Sequence, residues 1–196
     1  MESGKALPIS LMSKELYGQE YYSGGCGGMP YHQGGHWHEF FDNVAREIVR
    51  ECNPRTVLDA GCAFGYLVSG LRGLGVDAYG VDISEYAISQ ADPSIAKYVR
   101  IGSATDLPDE HYDIITFIEV AEHLTPDDGR QAIGRICANT DVVLFSSTPD
   151  DRDEPTHVNV QPLAYWWRLF RENGFALNVS RSARFVNQHA VWYGRI

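Results

Sequence analysis

Residues 57–65 read VLDAGCAFG, an apolar run that breaks at Gly61 into a turn closed by a second glycine, Gly65. RTVLDA reads as a short strand and the pattern resuming at Tyr66 as a helix, so the glycines lie in a tight turn where backbone can approach a ligand closely. A nicotinamide-dinucleotide fingerprint requires GxGxxG, and counting from Gly61 puts Ala63 and Tyr66 where its later glycines belong. Asp59 at the strand end favours a ligand with a positive group, because a carboxylate repels phosphates. Further on, GVDIS places Asp82 about 20 residues past the turn, where an acid accepts hydrogen bonds from ribose hydroxyls. Gly and Asp also serve as turn formers and caps, but the pair at this spacing points to a ribose-containing ligand.

Outward from this turn, short apolar strands alternate with helical patterns. RTVLDA is followed by a helix from about Tyr66 to Arg72, DAYGVD by a helix near Glu85 to Gln90, and then YVRI, YDIITFI, a helix near Arg130 to Cys137, and DVVLFSS. Such alternation predicts an α/β fold, a parallel sheet covered by helices on both faces. Before it, Phe40, Phe41, Val44, Ile48 and Val49 recur at helical spacing between Trp37 and Glu51, and Asn53 and Pro54 end that helix. After Pro149 come an acidic loop, DDRDEP, and a helix, QPLAYWWRLFREN, stopped by Gly174. Its Trp166, Trp167 and Phe170 read as core residues. FALNVS and AVWYG then follow as an antiparallel pair. Ligands of open α/β sheets bind outside the carboxyl ends of the strands, so the ends of the first, second and fourth strands are where chemistry is expected.

At 196 residues, 44% of them hydrophobic, the chain suits one domain. A net charge of -10 argues against nucleic acid as a partner. Cys26, Cys52, Cys62 and Cys137 show no CxxC spacing, which fits a reduced, cytoplasmic setting, and no apolar run is long enough to span a bilayer. Residues 17–38 are crowded with Gly, Tyr and His. They predict an irregular lid segment over residues 1–36, ahead of the main domain at 37–196.

VLDAGCAFG, YGVDIS, GSATDLP and YDIITFIEVAEHL together resemble, in order and spacing, the motifs of class I S-adenosylmethionine-dependent methyltransferases. The resemblance implies a Rossmann-like, seven-stranded, mostly parallel sheet with an antiparallel last strand, and S-adenosylmethionine as cofactor. It places Asp59, Gly61, Cys62 and Ala63 by the methionine portion, with Gly65 starting the helix, Asp82 on the ribose and Ile83 against adenine. Two departures stand out. Ala63 occupies the middle glycine of the family's DxGxGxG, a harmless exchange unless the backbone there needs a positive φ. Ser103 replaces the acid that contacts the adenine amino group, leaving Asp106 or the backbone near Ala104 and Thr105 for that role.

EVAEHL, residues 119–124, carries Glu119, Glu122 and His123. If a helix starts after Ile118, the three share one face beside the methyl donor, with Glu119 also touching the donor. They can be acids offsetting a helix dipole beside a satisfied histidine, an acid/base group with His123 as general base, or, with His157, the ligands of Mg²⁺, Mn²⁺ or Zn²⁺. ExxEH with a later His resembles the metal site of small-RNA 2′-O-methyltransferases, and a similar run occurs in ubiquinone-pathway O-methyltransferases. Tyr21 and Tyr22 offer aromatic faces to the sulfonium. His32, His36 and His38 read as substrate or second-ion contacts, or as surface residues. The expected reaction is methyl transfer to a hydroxyl of a small molecule, a sugar or secondary metabolite, by a monomer or homodimer. The alternatives are N-methylation of a small molecule, RNA 2′-O-methylation, and a non-catalytic adenosylmethionine-binding subunit.

Overall fold

The computed structural model describes residues 16–25, 29–32 and 34–196; Cys26 and the first 15 residues of the expected lid lie outside them. The described residues form seven strands: β1 (Thr56–Ala60), β2 (Asp77–Asp82), β3 (Val99–Ile101), β4 (Ile114–Ile118), β5 (Val142–Ser146), β6 (Phe175–Leu177) and β7 (Val191–Arg195). They form one sheet in the order β3-β2-β1-β4-β5-β7-β6. Pairing is parallel from β3 to β5; β7 runs antiparallel to both β5 and β6. Around the sheet lie helices α1 (His36–Cys52), α2 (Tyr66–Gly73), α3 (Glu85–Ser89), α4 (Pro126–Ala138) and α5 (Leu163–Glu172).

Side chains alternate along each strand, so neighbouring apolar residues serve opposite faces. Leu58, Ile115, Val143 and Phe145 pack with Ile133 and Ile136 of α4 and with Trp166 and Phe170 of α5. Their neighbours Val57, Ile114 and Leu144 pack with Val44 and Ile48 of α1 and with Leu67 and Leu71 of α2. A fully buried side chain of this kind contributes about 1.5–3 kcal/mol, so the apolar runs of β1, β4 and β5 demand a helix layer on each side. Trp167 departs from its expected core position: it is 39% exposed, with Arg171 over its ring. No helix among the described residues is long and apolar enough to cross a membrane.

No helix starts directly after Ile118, so the condition for Glu119, Glu122 and His123 to share a helix face is not met. Glu119 takes a left-handed φ of 51°, which ends β4 and turns the chain away from a helical path. A single 3₁₀ turn, Ala121–His123, follows, and α4 starts only at Pro126, earlier than the Arg130 expected from its apolar spacing. Thr125 accepts from the Asp128 N–H as N-cap, and Pro126 stands at the first helical position, where its missing N–H costs nothing. Glu119, Glu122 and His123 therefore share a loop at the carboxyl end of β4, between the ends of β1 and β5.

Candidate active site

The glycine turn is held from below by β2. Gly61 and Cys62 donate their N–H groups to the Val81 carbonyl at 2.7 and 3.1 Å. Gly61 has a φ of +94° and a Cβ there would overlap Val120; at Gly65, with φ +77°, it would meet Ile95 at 2.7 Å. Ala63 takes a φ of 47°, so the exchange of glycine for alanine at this position is paid in backbone strain. Cys62 is buried against Gly80.

Two acids flank the turn. Asp59 is 5% exposed and accepts from the Thr116 hydroxyl at 2.6 Å. Burial pushes its carboxyl up to about 7, the Thr116 bond acts against this, and the charge of Asp82 reinforces it. Asp82 accepts from the Ala63 and Ser84 N–H groups, each at 2.8 Å, and so ties the glycine turn to the start of α3. Ile83 beside it is half-buried. Ser103 and Thr105 share a hydroxyl bond at 2.7 Å close to buried Ala104. Asp106 is exposed and turns toward Arg135, 3.8 Å away.

A strap from the N-terminal segment crosses the cleft. The Tyr17 carbonyl accepts from Ser84 Oγ at 2.6 Å, and the Tyr17 ring meets Tyr21 and His123 edge-on at 5.1 and 5.6 Å. Tyr22 is buried among Tyr31, Phe64 and Tyr86. His36 lies against Trp37 and His38 against Tyr66, while His32 is exposed, and none of the three joins the cluster at the end of β4.

That cluster consists of Glu122, His123 and His157, whose candidate ligand atoms lie within 4.8 Å of one another. Glu122 is fully buried; one carboxylate oxygen accepts from the Thr148 N–H at 3.4 Å, and Oε2 has no hydrogen-bond partner. Burial, and then the charge of Glu119, push the Glu122 carboxyl well above its usual range. His123 Nδ1 lies 3.3 Å from the Thr156 carbonyl and His157 Nδ1 lies 2.9 Å from the Asp151 carbonyl. Carbonyls only accept, so each ring donates through Nδ1, which makes Nε2 the atom that could ligate, the orientation that protein carbonyls impose on ligating histidines. Burial and the neighbouring His157 push His123 down to about 4, so it is neutral at physiological pH. One carboxylate with an orphaned oxygen and two such imidazoles fit a divalent ion, and two nitrogen donors suit Mn²⁺ or Zn²⁺ better than oxygen-seeking Mg²⁺.

Glu119 stands beside this group and is not one of its three members. Its N–H donates to the Ser146 carbonyl at 3.1 Å, and its carboxylate accepts from Asn187 Nδ2 at 2.9 Å. Asn187 has its own orientation fixed, because its Oδ1 accepts from the His189 N–H at 2.8 Å. Asn187, Tyr17 and Ser84 are the site residues that the sequence reading missed. Asn187 sits in the loop between β6 and β7 with no motif around it, whereas Tyr17 belongs to an aromatic run already suspected of covering the cleft.

A parallel sheet that reverses between β1 and β4, a glycine turn at the end of β1 and an acid at the end of β2 define a class I S-adenosylmethionine-dependent methyltransferase. The chain belongs to the methyltransferase-domain family, whose model matches residues 35–190. It is 29% identical over 116 residues to a ubiquinone biosynthesis O-methyltransferase of Nitrosomonas europaea, covering 54% of this chain and 48% of the relative. To an O-antigen chain terminator bifunctional methyltransferase/kinase of Escherichia coli it is 25% identical over 180 residues, 78% of this chain and 24% of that protein. The chain thus spans about half or less of the length of these relatives. In fold it is similar to magnesium protoporphyrin IX methyltransferase from Synechocystis, solved with bound S-adenosylmethionine, at a TM-score of 0.73 and 19% identity over 99% of this chain and 100% of that one.

Proposed function

We propose that this methyltransferase acts on a hydroxyl of a small molecule, and that Glu122, His123 and His157 hold a divalent cation beside the reacting oxygen. The observation that carries the reading is the buried Glu122 oxygen without a partner, next to two imidazoles whose Nδ1 atoms are taken up by carbonyls. Such an ion, when bound, supplies a Lewis acid that lowers the pKa of an acceptor hydroxyl. Asp59, Asp82 and the glycine turn orient the donor, so that the acceptor oxygen meets the methyl carbon in line with the sulfur. The oxygen's electron pair forms the new C–O bond, the C–S pair stays on sulfur as a neutral thioether, and the hydroxyl proton leaves to the carboxylate of Glu119, which Asn187 holds in place.

The described residues 16–25 act as the lid in this reading: Tyr17 bridges Ser84 on the donor side and His123 on the acceptor side, and Tyr21 closes the gap between them. The name of the Nitrosomonas relative agrees with oxygen as the acceptor atom. To test the proposal, the protein saturated with S-adenosylhomocysteine is melted in EDTA and in Mn²⁺, Zn²⁺ or Mg²⁺, alongside Glu122→Ala. A metal-dependent rise confined to the unmutated protein is expected. Equal melting temperatures in all conditions would remove the ion from the proposal, and turnover with amines but not alcohols would remove oxygen as the acceptor atom.

A further inference from the structure

Among the described residues, five buried side-chain polar atoms lack a hydrogen-bond partner: Trp37 Nε1, Tyr66 Oη, Trp166 Nε1, Glu122 Oε2 and Ser147 Oγ. The first three sit on aromatic rings packed into the hydrophobic clusters. The other two stand just past the carboxyl ends of β4 and β5, which pair through Ile118 and Ser146. Glu122 and Ser147 are both fully buried. A hydroxyl taken out of water with no partner loses its hydration and gains nothing, so such groups are rare unless a ligand supplies the missing contact.

The residues on either side of Ser147 are bonded to the two glutamates of the β4 loop. Ser146 Oγ accepts from the Glu119 N–H at 3.2 Å, and the Thr148 N–H donates to Glu122 Oε1 at 3.4 Å. Side chains alternate along a strand. Leu144, and with it Ser146, lies on the α1 and α2 side, where Val186 and Ala190 are buried close to Asn187, the partner of Glu119. Phe145 lies on the α4 and α5 side with Ala121, and the alternation carried one residue past Ser146 puts Ser147 on that side, with Glu122. The two serines thus divide the two glutamates between them. Ser146 supports Glu119 on one face of the sheet and is satisfied; Ser147 stands with Glu122 on the other, and each of that pair keeps an orphaned oxygen. Asn159 covers this pair, its N–H donating to the Glu122 carbonyl at 2.9 Å and its Nδ2 to the Ala121 carbonyl at 3.5 Å, two residues past His157.

Glu122, His123 and His157 offer an ion three protein ligands, fewer than a tetrahedral or an octahedral shell needs. We infer that Ser147 is a further ligand of this centre, presenting its neutral hydroxyl oxygen to the ion beside Glu122 Oε2, and that it tilts the preference toward Mn²⁺ over Zn²⁺. A hydroxyl oxygen is a hard donor of the kind that holds Mg²⁺ or Mn²⁺, whereas Zn²⁺ gains more from nitrogen and sulfur. The inference rests on the cation of the proposed function and is independent of which acceptor is methylated.

The test titrates the full chain, saturated with S-adenosylhomocysteine, with Mn²⁺ followed by electron paramagnetic resonance and with Zn²⁺ in competition. Ser147→Ala is expected to weaken Mn²⁺ binding by about tenfold or more, and Zn²⁺ binding several-fold less. Ser147→Cys replaces the hard oxygen by a soft sulfur, so it should reverse the preference toward Zn²⁺ and, loaded with Co²⁺, show a thiolate-to-metal charge-transfer band that the unmutated protein lacks. Melting in EDTA separates a ligand from a packing residue. Ser147→Ala, which removes an orphaned hydroxyl, should melt no lower than the unmutated protein, whereas Ser146→Ala, which loses the bond to the Glu119 N–H, should melt lower. Unchanged Mn²⁺ affinity in Ser147→Ala, with loss in Glu122→Ala, overturns the inference and leaves the cation standing. Co²⁺ binding to Ser147→Cys without the band does the same, and so does a Ser147→Ala protein that loses Mn²⁺ and melts lower in EDTA, since Ser147 would then be structural. Failure of the unmutated protein to bind Mn²⁺, Zn²⁺ or Co²⁺ rejects both the inference and the proposed cation.

Discussion

Ala63→Gly gives the most direct access to the strain in the glycine turn. Ala63 has a φ of 47°, a left-handed conformation that costs a residue with a Cβ about 1–2 kcal/mol relative to glycine. Glycine recovers this but loses more conformational freedom on folding, which takes back about 0.4–1 kcal/mol. The backbone bond from residue 63 N–H to Asp82, 2.8 Å long, survives the change because it needs no side chain. The expected net gain is about 0.5–1 kcal/mol, and in a chain of this size 1 kcal/mol moves the melting temperature by roughly 2–4 °C. Thermal unfolding followed by circular dichroism should therefore show the variant melting about 1–4 °C higher, with S-adenosylhomocysteine affinity changed by no more than about twofold, well below the tenfold that 1.4 kcal/mol would give. A lower melting temperature would refute the reasoning, since it would mean that the methyl group contributes more packing than the backbone loses in strain. The opposite substitution two positions earlier, Gly61→Ala, is expected to abolish donor binding, because its Cβ overlaps Val120 at a φ of +94°.

Asp82→Asn should weaken S-adenosylhomocysteine binding at least tenfold in calorimetry, because a charged acceptor for ribose hydroxyls becomes neutral; unchanged affinity would displace the ribose from β2. Burial raises the Asp59 carboxyl from 3.8 to about 7, so between these pH values the unfolded chain has lost a proton that the folded one retains. Stability of the ligand-free protein should therefore fall as pH rises across that window and level off above it, and Asp59→Asn should flatten this part of the curve in urea melts. Over the same range, affinity for the cationic donor should rise toward neutrality as Asp59 ionises, and a pH-independent Kd would contradict its place beside the donor. Asn187→Ala should lower turnover while leaving donor affinity intact, because it frees Glu119 without touching the glycine turn; loss of both together would make Asn187 a purely structural residue.

The sequence reading located the strands and most helices to within a few residues because their signals are local. The glycine turn, the Asp82 spacing and the alternation of apolar runs each lie within a short window, and DAYGVD is β2 to the residue. It leaves the stretch just past Ile118 open, because that acidic run is compatible with a helix start and with a loop. One left-handed residue, Glu119, supported by Ser146 of the neighbouring strand, turned that run into a loop. No periodicity announces such a bend, since its cause is a strand 27 residues further along.

The candidate site divides along the same line. Sequence alone determined that a glycine turn and two acids stand at adjacent strand ends, because the parallel sheet it encodes brings carboxyl ends together whatever the loops do. It also named Glu122 and His123, with Glu119, in one short run and His157 in a later loop. Only the tertiary structure decided that these three converge while Glu119 is drawn aside to Asn187, 68 residues away in sequence, and that Tyr17 reaches across to Ser84, 67 residues away. Those partners are chosen by where the sheet sets its loops down, and a hydrogen bond between two loops leaves no pattern in either of them.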